Sequence, residues 1–220
     1  MGSPAPQIYL VTDRLATGSR GLVETVKQAL TGITPAVNVA VQLREKDLGA
    51  RALVELARQL RSLTRAAGAR LFVNDRVDVA IAVEADGVHL GVTSFAPAHV
   101  KAMAPGLQIA VSTHAIPEVH AAALGGLVDF VVFGPVFETP SKRRFGLPPL
   151  GLGALSEATR AALPVIAIGG IDGPRARQCL AAGACGIACI REVMSSPTPA
   201  LAMRELCRLT TEISRHPLDT

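Results

Sequence analysis

Gln42, Arg44 and Lys46 stand two residues apart in the run Val41-Gln42-Leu43-Arg44-Glu45-Lys46. In an extended chain, residues at that spacing share one face. A buried face carrying an amide, a guanidinium and an ammonium needs acceptors and counter-charge. A phosphate or pyrophosphate would supply both, meeting the planar fork of Arg and the point charge of Lys. The competing reading is an edge strand whose polar face meets water.

Residues of similar character recur where other apolar runs end. Asn74 and Asp75 close one run, His89 lies in another, and Ser112, Thr113 and His114 end a third. Thr139, Ser141, Lys142, Arg143 and Arg144 belong to a loop, residues 135–150, rich in Pro, Gly and cations. Gly169-Gly170 and Ile190-Arg191 follow the last two runs. Each has a plain structural reading. Asn74-Asp75 could cap a helix, His89 could be a satisfied core residue, Gly169-Gly170 a tight turn, and Thr139 and Ser141 turn residues. All of them falling at one rim is better explained by an anionic-ligand site.

Helices and strands must bring these residues together. Apolar, β-rich runs alternate with helical patterns along the chain. Strands are expected at 7–13, 41–46, 70–75, 87–90, 107–112, 129–134, 165–170 and 186–190. Helices are expected at 20–32, 50–67, 77–83, 97–103, 117–124, 151–163, 174–182 and 199–213. The helix at 50–67 is the clearest, with Leu53, Leu56, Ala57, Leu60 and Leu63 on one face, arginines on the other and Gly68 as its stop. Continuously apolar strands suit a parallel sheet buried on both faces. About eight β-α units and no linker predict a single (β/α)8 TIM barrel spanning residues 1–220, with residues 1–6 a flexible N-terminus. Its ligands would lie at the carboxyl ends of the strands. A doubly wound sheet is the alternative, weakened because no GxGxxG follows the first strand.

Composition narrows the function. The 220 residues include no Trp, one Tyr and six Phe, so bases would find few rings to stack on. The net charge of +4 is modest and scattered along helices, so most of these cations read as solvated faces; a small anionic substrate would fit the excess equally well. Cys179, Cys185, Cys189 and Cys207 form no CxxC pair. Cys179 and Cys189 read as core residues. The start Met1–Pro6 does not look like a signal peptide, and no apolar run reaches the roughly 20 residues of a membrane span. A cytoplasmic protein that binds neither nucleic acid nor membrane is the expectation; a homo-oligomer stays open.

The segments Gln42–Lys46, Val73-Asn74-Asp75, Ala85–Gly91, Phe133–Lys142 and Ala167–Ile171 occur in an order and spacing that resemble thiamin-phosphate synthase and its sister group, the thiazole tautomerases. The likeness covers residues 7 to about 213. It implies a (β/α)8 barrel that joins hydroxymethylpyrimidine pyrophosphate to hydroxyethylthiazole phosphate, releasing pyrophosphate. By that similarity Arg44, Lys46 and Lys142 would carry the catalysis at the pyrophosphate, with Gln42, Asn74 and Ser141 also holding it. Asp75 would bind Mg²⁺. His89 and Ser112 would sit against the pyrimidine. Thr139, Gly170, Ile190 and Arg191 would hold the thiazole phosphate.

Two positions depart from the pattern. The synthases continue the His89 segment as Gly-Gln-x-Asp, whereas this chain reads Gly91-Val92-Thr93-Ser94. Ser94 therefore stands where a second metal carboxylate is expected, and a neutral hydroxyl is a poorer Mg²⁺ ligand. The tautomerases can use a His just after the sixth strand, where this chain has Pro135; His114 or His89 would have to substitute. A synthase, a tautomerase and a non-catalytic phosphate-binding barrel are the three readings carried forward.

Overall fold

Apolar runs buried on both faces cannot end as an open edge without leaving backbone groups unpaired. Here they close on themselves. The computed structural model describes residues 3–139 and 148–215; Ser141, Lys142, Arg143 and Arg144 lie outside these. Eight parallel strands form a closed barrel in sequence order. They are β1 (Ile8–Val11), β2 (Val39–Leu43), β3 (Arg70–Asn74), β4 (Gly87–Leu90), β5 (Gln108–Thr113), β6 (Phe130–Phe133), β7 (Val165–Ile168) and β8 (Gly186–Cys189). Ile8 pairs with Val39 on one side and Ile187 on the other, which closes the ring.

Alternation along the strands makes two cores. Tyr9, Val11, Ala40, Phe72, Ala110, Phe130, Val132, Ile166 and Ala188 fill the barrel interior. Tyr9, Phe72 and Phe130 meet pairwise edge-to-face, with centroids 5.4–5.6 Å apart; such pairs contribute about 0.5–1.5 kcal/mol each beyond area burial. Gly87 makes room for them, because a Cβ there would lie 2.3 Å from the Phe72 ring. The intervening residues, such as Leu10, Val41, Leu71 and Val88, pack outward under the helices. Helix Ala50–Ala66 buries Leu53, Ala57, Leu60 and Thr64 against that layer.

Some boundaries and elements differ from the sequence expectation. β2 ends at Leu43 rather than Lys46 because the Arg44 N–H goes to the Thr12 side-chain oxygen, 2.9 Å away, instead of the next rung of the ladder. The helix expected over 151–163 stops at Ala158, ahead of Pro164, which disfavours helical backbone before it. A four-residue helix, Arg191–Met194, follows β8 and was not expected. Neither were the two 3₁₀ turns after β1, at Arg14–Ala16 and Gly18–Arg20. Among the described residues no helix is long and apolar enough to cross a membrane.

Candidate active site

The carboxyl ends of β2 to β5 form one arc of the rim, and their polar side chains touch in sequence. Gln42 points into the barrel and is only 2 % exposed. Its amide Nε2 lies 3.5 Å from Asn74 Oδ1 on the neighbouring strand. Asn74 Nδ2 donates to Asp75 Oδ2 at 3.1 Å. Asp75 has left-handed backbone, φ 62°, an unusual conformation that Asp tolerates better than most residues. Its N–H is fixed by the His89 carbonyl at 2.9 Å. Ser94 donates a hydrogen bond to Asp75 Oδ1 and accepts one from the Gly91 N–H at 2.6 Å. The loop after β4 is thereby folded onto the end of β3.

Arg44 and Lys46 lie just beyond β2 and are exposed, while Glu45 between them is buried. The alternation expected of a strand survives, but its cause is different. Glu45 accepts from the Thr12 hydroxyl at 2.7 Å and from the Arg14 N–H at 3.1 Å. Thr12 in turn accepts from the Arg44 N–H. This clamp turns both cations outward. Burial pushes the Glu45 carboxyl up, opposed by its bonds from Thr12 and Arg14. The ion pairs beside it run from Arg14 to Glu45 and Asp47; among the described residues neither Arg44 nor Lys46 takes part in one. Exposed cations with no protein counter-charge among the described residues suit an anionic ligand.

Beneath them lies a second chain of contacts. Tyr9 OH is 3.2 Å from His89 Nδ1, and His89 Nε2 is 2.7 Å from Ser112 Oγ. His89 is 4 % exposed. Burial, reinforced by the nearby charges of Arg44 and Lys46 and opposed by Asp75, pushes its pKa down to about 3. The imidazole is therefore neutral near pH 7. It is a satisfied buried histidine, with Tyr9 on one ring nitrogen and the rim residue Ser112 on the other.

The opposite arc, after β6 to β8, is built from backbone. The peptide bond Gly134–Pro135 is cis. Val136 N–H donates to the Ile168 carbonyl at 2.8 Å and Phe137 N–H to the Gly169 carbonyl at 3.1 Å. These bonds lay the segment carrying half-buried Thr139 along the end of β7. Gly170 has φ 64°, and a Cβ there would come within 2.7 Å of the Glu138 carbonyl. Arg175 donates to the Gly170 carbonyl at 2.8 Å and covers the Phe137 ring at 5.0 Å. Ile190 and Arg191 lead into helix Arg191–Met194. His114 reaches across from β5, its Nδ1 against the Gly134 carbonyl.

The structure thus brings Gln42, Asn74 and Asp75 into one connected set, with Arg44, Lys46 and His89 in electrostatic contact. His89 and Ser112 are joined directly. Thr139 and Gly170 lie together on the other arc. Ser141 and Lys142 lie outside the described residues. The sequence reading missed Thr12, Glu45 and Tyr9 as supports. Only Tyr9 carried a signal, as the one Tyr of the chain placed inside an apolar strand. Among the described residues no cluster of three or more His, Cys, Asp or Glu could hold a metal ion. The donor set at Asp75 is one carboxylate with a neighbouring amide and hydroxyl. Mg²⁺ commonly takes one or two carboxylates and completes its shell with substrate phosphates and water, so these residues fit an ion shared with a pyrophosphate.

Comparison with known proteins places the chain in a family. The family model described as thiamine monophosphate synthase matches residues 8–193. The chain is similar to the thiamine-phosphate synthase of Roseiflexus castenholzii, 44% identical over 208 residues that cover 93% of this chain and 88% of the relative. It is also similar to the thiamine-phosphate synthase of Moorella thermoacetica, 41% identical over 211 residues, covering 94% and 97%. Among solved structures it resembles a thiamine phosphate pyrophosphorylase from Pyrococcus furiosus, with a TM-score of 0.84 and 36% identity over 94% of this chain and 96% of the other. The chain belongs to the thiamine monophosphate synthase family.

Proposed function

We propose that this protein is a transferase that joins hydroxymethylpyrimidine pyrophosphate to hydroxyethylthiazole phosphate, forming thiamin phosphate and pyrophosphate. Family membership supports the reaction class. The observation that carries it for this chain is the arc from Gln42 through Asn74 to Asp75 beside two cations, Arg44 and Lys46, that have no protein counter-charge among the described residues.

In this reading the pyrophosphate lies over that arc. Loss of pyrophosphate leaves a benzylic-type pyrimidine cation, so charge develops on the departing oxygens. Arg44 grips those oxygens with its planar fork, and Lys46 adds a mobile point charge. Gln42 and Asn74 orient them by amide N–H groups. Lys142 and Ser141 would complete this shell. Asp75 would hold Mg²⁺ together with the pyrophosphate, and the ion supplies further neutralisation of the leaving charge. Ser94 occupies one Asp75 oxygen by a hydrogen bond. His89 and Ser112 face the pyrimidine, with neutral His89 adding no positive charge beside the developing cation. Thr139, Gly170, Ile190 and Arg191 hold the thiazole phosphate across the rim. The thiazole nitrogen already has a lone pair, so it needs placement rather than a base.

One observation favours a second reading. His114 meets the Gly134 carbonyl next to Pro135, where the tautomerase branch can carry a His. The tautomerase reading has this imidazole move the proton of a thiazole carboxylate phosphate. Incubating the protein with both thiamin precursors and Mg²⁺ separates the two. Thiamin phosphate, formed faster by Ser94→Asp at limiting Mg²⁺, is the expected result. No product at high enzyme concentration, with isomerisation of the thiazole carboxylate phosphate without metal, would replace the synthase by the tautomerase.

A further inference from the structure

Hydrogen-bond direction in the buried chain Tyr9–His89–Ser112 is not free. Tyr9 is fully buried, and its hydroxyl meets only His89 Nδ1 among the described residues. Burial keeps the phenol protonated. A buried O–H with no acceptor costs on the order of 1–3 kcal/mol. If Nδ1 carried the imidazole proton, the phenol would have to accept, and its own proton would have no partner. The phenol therefore donates to a bare Nδ1. With Nδ1 bare, the ring proton sits on Nε2 and is donated to Ser112 Oγ, 2.7 Å away. That oxygen then accepts from within. Ser112 is half-buried and makes no other side-chain hydrogen bond among the described residues, so its own proton is left for the cavity.

We infer that Tyr9 is a positioning residue that locks His89 in its Nε2–H tautomer and thereby makes Ser112 a one-way hydrogen-bond donor toward the substrate ring. The inference rests on the reading that Ser112 faces the pyrimidine. It adds a selectivity rule: the group opposite Ser112 must be an acceptor, such as a ring nitrogen with a free lone pair. The Tyr9 and His89 rings are held 5.7 Å apart and 22° from parallel, and Phe72 and Phe130 brace Tyr9 edge-on. The tautomer is thus fixed from the floor of the barrel, without contact between Tyr9 and substrate.

Histidine labelled with ¹⁵N reads the tautomer directly in the full chain, with His89→Gln assigning the signal. The wild type should show a protonated Nε2 and a bare Nδ1 at His89. Tyr9→Phe, which keeps the ring and its packing, should show mixed tautomers and about a tenfold lower kcat for thiamin phosphate. In a Ser112→Ala background the same change should cost nothing further, because Tyr9 acts only through Ser112. A proton on Nδ1 in the wild type, or a Tyr9→Phe loss that persists in Ser112→Ala, overturns the inference. The spectrum does not depend on turnover. An Nε2–H signal in a protein that forms no thiamin phosphate would sink the functional reading and leave the tautomer lock standing.

Discussion

The two arcs of the rim, each proposed to hold an anion, are built from different parts of the chain. After β2 to β5 the site is made of side chains that support one another: Gln42 by Asn74, Asn74 by Asp75, Arg44 by Thr12 and Glu45. After β6 to β8 it is made of backbone, shaped by Gly170 and by the strand-like bonds from Val136 and Phe137. A side-chain site can be dismantled one residue at a time. A backbone site fails only when the chain path changes. The difference teaches where each arc is vulnerable, and substitutions can separate the two.

The largest effect is expected at Arg44. Arg44→Ala removes the fork from the side-chain arc and should lower kcat/KM about 10²–10³-fold, as loss of a transition-state donor does elsewhere. Steady-state rates at varied pyrimidine pyrophosphate measure it. An equal loss at saturating and limiting substrate would mark a transition-state contact, whereas a rise in KM alone would mark simple binding.

Thr12→Val keeps the side-chain shape but deletes the hydroxyl between Arg44 and Glu45. It leaves Arg44 N–H without its partner and Glu45 with one donor fewer in a buried place. A cost of about 1–3 kcal/mol is expected by denaturant unfolding, together with weaker pyrophosphate binding. Unchanged stability would mean that the clamp is incidental.

Gly170→Ala tests the other arc. An L-residue at φ 64° costs roughly 1–2 kcal/mol, and here the new Cβ also meets the Glu138 carbonyl at 2.7 Å. The KM for thiazole phosphate should rise while that for the pyrimidine stays level. A rise in both would blur the division between the arcs.

The smallest effect is electrostatic. His89 keeps its proton off down to pH about 3 when folded, against 6.5 for the free side chain. Below pH 6.5 the unfolded chain binds a proton that the native protein refuses, so stability falls as pH falls through that window. Between pH 6.5 and 5.5 the loss is about 1 kcal/mol. His89→Gln should flatten this part of the stability profile, measured by urea midpoints at each pH. An unaltered slope would show that His89 is solvated or paired differently.

The same contrast explains what could be read from the residues alone. The barrel was legible because runs such as Phe130–Phe133 and Val165–Ile168 are apolar on both faces and recur between helical patterns. The side-chain arc was legible because Gln42, Arg44, Asn74 and Asp75 are residue types that do not end a buried strand without purpose. The end of β2 was not, since it depends on the hydroxyl of Thr12, about 30 positions earlier, reaching Arg44. The backbone arc was visible only as a pair of glycines. Helix Arg191–Met194 is too short to show a period. Tyr9 stood out as the one Tyr, set in an apolar strand, but its partner did not, because the contact with His89 spans 80 positions and depends on how the strands face each other across the barrel.

The division of the rim is tested most directly by equilibrium binding of inorganic pyrophosphate with Mg²⁺ and, separately, of hydroxyethylthiazole phosphate, by calorimetry on the wild type, Arg44→Ala and Gly170→Ala. A crossed pattern is expected. Arg44→Ala loses pyrophosphate and keeps the thiazole phosphate, while Gly170→Ala does the reverse. Both ligands weakening together in either variant would contradict it, and would mean that the two arcs form one undivided site.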